Sequence, residues 1–86
     1  MHIREFQKLI SEKYEEVDRK RGTPATFLWF IEEVGELATA LAGTDQANKA
    51  EEFADVFAWL CTMANINDVD LEAAIDKYLH GHLGYK

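Results

Sequence analysis

One cysteine and one proline are all that this 86-residue chain holds of either type, and each scarcity excludes something. A lone thiol, Cys61, forms no internal disulfide, so the fold is not a stapled one, and a reducing, cytoplasmic setting is expected. A single proline, Pro24, leaves long stretches on both sides free of helix breakers. Basic residues are also few. Nine Lys and Arg against sixteen Asp and Glu give a net charge of −7, the wrong sign for coating DNA or RNA, so no nucleic-acid partner is expected. One nucleotide bound through metal ions is not excluded by this, because the metals supply positive charge locally. The apolar run VFAWLCTMA falls well short of the roughly 20 residues that span a bilayer, so no membrane partner is expected. The amino-terminal MHIREFQKLI is charged throughout and has no secretory apolar region. Strand-type alternation, repeats and low-complexity segments are missing too.

What is present is apolar and periodic. The composition is 48% hydrophobic and 12% aromatic, far too apolar for a disordered segment. Residues 1–86 are read as one small all-α domain of about four helices. Ile3, Phe6, Ile10 and Val17 recur at helical spacing and predict a first helix over residues 2–20. Gly22 ends it, with Thr23 as N-cap and Pro24 at the first position of a second helix that runs to Ala42, followed by Gly43. Thr44 or Asp45 caps a third helix reaching about Asn65. NINDVD makes a turn, and Asp70 caps a shorter fourth helix, LEAAIDKYL. A chain this small has little core to offset its conformational entropy, so a homodimer or larger assembly is expected.

The chemistry sits in two acidic pairs, Glu33 with Glu36 and Glu52 with Asp55, each spaced i, i+3 on a predicted helix. Four oxygen donors from neighbouring helices suit a hard divalent cation, Mg²⁺ or Mn²⁺. On a helical wheel, Phe27, Phe30, Ile31, Val34, Leu37, Ala38 and Leu41 fall within about 60° of Val34. Phe53, Val56, Phe57, Leu60, Met63 and Ala64 likewise fall within about 60° of Leu60. The acids centre roughly 110–130° away from these stripes. Each helix therefore has an apolar core face and a separate acidic flank. Trp29 and Trp59 share those flanks, where a solvated face does not ordinarily carry the two largest side chains.

EEVGEL followed by EEFADVFAWL resembles the EExxE…ExxD signature of MazG-like nucleotide pyrophosphohydrolases, within the all-α NTP pyrophosphatase superfamily. The resemblance extends from about Arg19 to Tyr78. It implies Mg²⁺-dependent hydrolysis of a nucleoside triphosphate, NTP or dNTP, to monophosphate and pyrophosphate by dimers or tetramers of short helical chains, in nucleotide-pool house-cleaning. Carried over by motif, Glu33, Glu36, Glu52 and Asp55 are the metal ligands, and Glu32 is the first Glu of EExxE. Glu32, or Glu51 nearby, could orient or deprotonate the attacking water. Members of the family usually carry further polar or basic residues near the C-terminus. Here Lys77 is in place as a phosphate contact, and Tyr78, His80 and His82 follow.

Bland readings stand beside these. The four acids could be solvated helix faces, although few lysines lie at neutralising offsets. The tryptophans could fill an interface, with Trp29 the better candidate for stacking on a substrate base. His80 and His82 have a spacing that can bind metal but usually does not. Cys61 reads as a small core residue. Arg19, Lys20 and Arg21 read as a solvated helix end favoured by the helix dipole. Two rival functions remain on sequence alone: a metal- or nucleotide-binding regulatory helical protein without turnover, and a purely structural bundle.

Overall fold

The computed structural model describes residues 1–79, and these are helical apart from short joints. His80 and His82 lie outside the described residues. The elements are α1 (Ile3–Arg21), α2 (Thr23–Ala42), α3 (Gln46–Ile66), α4 (Leu71–Ala74) and α5 (Asp76–Leu79). No strand occurs among the described residues, and no helix there is long and apolar enough to cross a membrane. Helix α3 packs along both α1 and α2, which touch each other far less.

The joints follow from their residues. Gly22 alone connects α1 to α2, at φ 84° and ψ 162°, a backbone conformation that side-chain-bearing residues rarely adopt. Its N–H donates to the Asp18 carbonyl at 3.0 Å, and its own carbonyl accepts from Thr26 N at 3.1 Å. Gly22, rather than Thr23, is thus the N-cap of α2. The Thr23 hydroxyl instead accepts from Asn67 Nδ2 at 3.3 Å, across the bundle. Asp45 caps α3 by accepting from Asn48 N at 3.1 Å. Asp70 caps α4 by accepting from the backbone N–H groups of Glu72 and Ala73. The expected fourth helix is divided at Ile75, where Tyr78 N bonds back three residues to the Ile75 carbonyl rather than four.

Polar side chains fasten the far end of the bundle. Gln7, buried on α1, donates to Asn65 Oδ1 at 3.0 Å and the Val69 carbonyl at 2.7 Å, and accepts from Leu71 N at 3.0 Å. Arg19 donates to Glu15, to Asp68 and to the Asn65 and Ile66 carbonyls that end α3. It is therefore a tie between elements and not a solvated helix end. Lys20 fits the solvated reading, with an exposed Glu16 3.9 Å away.

The expected core stripes lie only partly inside: Ala64 is buried, and Phe30, Leu37, Val56 and Met63 are half-buried. Phe27, Ile31, Val34 and Leu41 of α2, and Phe53, Phe57 and Leu60 of α3, are exposed on this chain, Phe53 by 55%. Cys61 and Ala64 are buried as expected, and the small residues Thr26, Ala40 and Thr62 join them in the interior. They let the helices approach closely, which leaves much of the bulky apolar surface at the rim, where Phe57 stacks on Phe6 of α1 with ring centroids 5.6 Å apart. On α1, Ile10 is buried as expected, but Val17 is exposed and its neighbour Asp18 is buried. Thr26 is fully buried, and its Oγ1 has no hydrogen-bond partner. Thr26→Val removes that unmet hydroxyl at nearly constant volume, so unfolding in urea should show a gain of about 1 kcal/mol. A loss of stability would mean that the hydroxyl is satisfied in solution.

Candidate active site

The two acidic pairs meet between α2 and α3. Trp29 stacks against Trp59, with ring centroids 6.0 Å apart and planes 8° from parallel. Further along, Glu36 of α2 faces Glu52 of α3, the register of antiparallel neighbours. The acids therefore face each other within the chain, with Glu33, Glu52 and Asp55 half-buried and Glu36 and Trp29 exposed.

Glu33, Glu36 and Glu52 form one group in which one carboxylate oxygen from each lies within 4.8 Å of the others, and Glu51, Glu52 and Asp55 form a second. Glu52 belongs to both. Asp55 thus joins the first group through Glu52, and Glu51 enters as a fifth acid. Glu32, also expected at the site, is exposed and belongs to neither group. Lys77 lies on α5, its ammonium 4.9 Å from the Tyr78 ring centre, and is not among the charges acting on Glu33 or Glu52.

Crowding shifts proton affinities. The Glu33 carboxyl is pushed up from its ordinary value, first by loss of solvation and then by the negative charges of Glu36, Asp55 and Glu52. The Glu52 carboxyl is pushed up by the same loss of solvation and then by Glu36, Asp55 and Glu51. Glu52 Oε2 is buried without a hydrogen-bond partner. A buried carboxylate oxygen, among like charges and without a donor, is costly unless a cation completes it. An all-oxygen donor set of this kind fits a hard divalent ion and disfavours soft metals.

Beside the acids, a cleft of about 400 Å³ opens between α1 and α3, bordered by Asp55, Trp59 and residues of α1. Its polar wall is the pair Asp18–Arg21, 3.2 Å apart. Arg21 is not the solvated helix end its neighbours suggest. Its guanidinium lies over both tryptophans, 5.4 Å from the Trp59 centre and 5.9 Å from that of Trp29. The i, i+3 spacing of Asp18 and Arg21 was the only sequence signal for this pair. It passes unnoticed inside a run of charge.

Residues 21–81 match the family described as the MazG nucleotide pyrophosphohydrolase domain. No curated protein matches the chain.

Proposed function

We propose that this chain, which belongs to the MazG nucleotide pyrophosphohydrolase family, hydrolyses nucleoside triphosphates to monophosphate and pyrophosphate in a Mg²⁺-dependent reaction. One observation carries the metal requirement: the buried, unpartnered Glu52 Oε2 at the junction of two carboxylate groups. In this reading Glu33, Glu36, Glu52 and Asp55 hold the ion, with Mn²⁺ as a substitute. When bound, the ion supplies the positive charge that a triphosphate needs and polarises water for attack.

The chain's own residues then have separate tasks. Four carboxylates fix the position of the triphosphate by fixing its counter-charge, which is a positioning contribution. A fifth carboxylate outside the ligand set accepts the proton lost by the water that attacks the α-phosphorus in line. Glu51 suits that task better than Glu32, because Glu51 is within the second carboxylate group and Glu32 is in neither. Trp29 and Trp59 wall the end of the site nearest Arg21.

Residues 1–86 act as one domain in this reading, and the working unit is a homo-oligomer. The support for the latter is the outward apolar face of α2 and α3. A regulatory protein that binds metal or nucleotide without turnover is the alternative. Incubation with NTPs or dNTPs and Mg²⁺, followed by chromatography, separates the two. Monophosphate plus pyrophosphate is expected, with ¹⁸O from labelled water found in the monophosphate. Release of orthophosphate and a nucleoside diphosphate would sink the assignment.

A further inference from the structure

The geometry points to Arg21 as a contact for the nucleotide base, with the cleft between α1 and α3 as the base's seat. This rests on the nucleotide reading above and adds to it a residue and a direction. The cleft opens directly off the carboxylates, because Asp55 borders it and also belongs to the second acidic group. A substrate whose phosphates lie over the acids therefore has its base within reach of this cleft. Residues 10, 14 and 18 of the cleft wall stand on α1, outside the 21–81 span of the family match. The wall they form belongs to a part of this chain that the match does not cover.

Arg21 is held from two sides. Asp18, only 3% exposed, forms an ion pair with the guanidinium at Nη2, 3.2 Å away. The tryptophan pair supports its face. The other nitrogen, Nη1, is buried and has no partner. Leaving a buried charged donor unmet is expensive, and such exceptions are rare in folded proteins. A site that waits for a ligand's acceptor accounts for one here.

The chemistry of the walls selects the ligand. Asp18 neutralises Arg21, so the cleft offers no net positive charge to a phosphate. Ile10 supplies an aliphatic surface, and Tyr14 and Trp59 supply aromatic ones. A planar heterocycle matches this combination, with faces for apolar and aromatic walls and edge acceptors for a guanidinium donor. The acceptor is a ring nitrogen or carbonyl oxygen of the base, and Arg21 Nη1 donates to it.

Calorimetric titration tests this without requiring turnover. The wild type, R21A and R21K are each titrated with nucleoside monophosphates and, separately, with inorganic pyrophosphate. R21A should weaken monophosphate binding about tenfold, the scale of one lost charge-assisted hydrogen bond, and leave pyrophosphate binding as in the wild type. R21K, which keeps the charge but not the fork, should recover only part of the loss. In turnover, KM for the triphosphate should rise by a similar factor with kcat little changed. Equal weakening toward both ligands would make Arg21 a phosphate contact and overturn the inference, as would unchanged monophosphate binding. If R21A fails to fold, R21K decides by the same two titrations. A wild type that cleaves no triphosphate would refute the activity alone, since monophosphate binding still reports the contact.

Discussion

Glu52→Gln should abolish turnover while leaving the helices intact and making the metal-free protein more stable. Three effects combine at this one side chain. Losing the proposed ligand at the carboxylate common to both acidic groups should remove several kcal/mol of transition-state stabilisation, so kcat should fall at least about a thousandfold. Removing a charge from among Glu36, Asp55 and Glu51 relieves the repulsion and desolvation that push its carboxyl up. The substitution should also remove metal-dependent stabilisation, which for the wild type is about 2.7 kcal/mol at a hundred times the Kd. Calorimetry with Mn²⁺ and thermal melts with and without chelator read these separately.

The pH dependence has a definite sign. Folded-state values for Glu33 and Glu52 are raised above their ordinary 4.5, so folding favours the protonated forms. Their contribution is fully present below about pH 4.5 and is lost as pH rises through the raised values. In chelator, the wild-type Tm should therefore carry a downward component as pH rises from that point, and Glu52→Gln should flatten it. Equal Mn²⁺ affinity in wild type and variant would remove this site from consideration.

Leu60→Glu should break the proposed oligomer. Leu60 and Val34 centre the apolar faces of α3 and α2, and both are exposed on the single chain. A carboxylate placed in a face that a second copy covers is buried without a partner, which costs about 3–5 kcal/mol. The dissociation constant should rise about a hundredfold to several thousandfold. Light scattering across a dilution series should give the wild type a multiple of 9.8 kDa. The variant should approach the single-chain mass or unfold as it dissociates. A wild type that remains a folded 9.8 kDa monomer would contradict the oligomer.

Much of the fold could be read from local chemistry. Asp70, and the choice between Thr44 and Asp45 that Asp45 wins, mark their helix starts because capping depends only on nearby backbone N–H groups. The acid pairs could be read because i, i+3 spacing fixes two side chains on one face before any partner is known. Which face turns inward could not. A helical wheel gives the angle between two stripes, not which of them meets the neighbouring helix and which waits for another chain. The wheel therefore places Phe27, Ile31, Val34 and Leu41 of α2 and Phe53 and Leu60 of α3 in the interior, where Thr26 and Ala40 are buried and those six are exposed. Arg19 and Arg21 were illegible for a related reason. Arg19 meets the end of α3 and Arg21 meets Trp59, contacts that only the packed bundle creates.

The single-residue joint at Gly22 also limits how this domain can vary in length. Arg21 closes α1 and Thr23 opens α2, so no slack segment absorbs an extra residue between them. One inserted helical position would turn Thr26, Trp29 and Glu33 by about 100° around the axis of α2 relative to α1. That rotation carries Glu33 away from α3 and breaks the register that sets Trp29 against Trp59. The joints at 43–45 and 67–70 carry no such phase constraint, because non-helical residues there can take up added length. Insertions and deletions among chains that keep this site should therefore gather at those two joints and avoid the corner at Gly22.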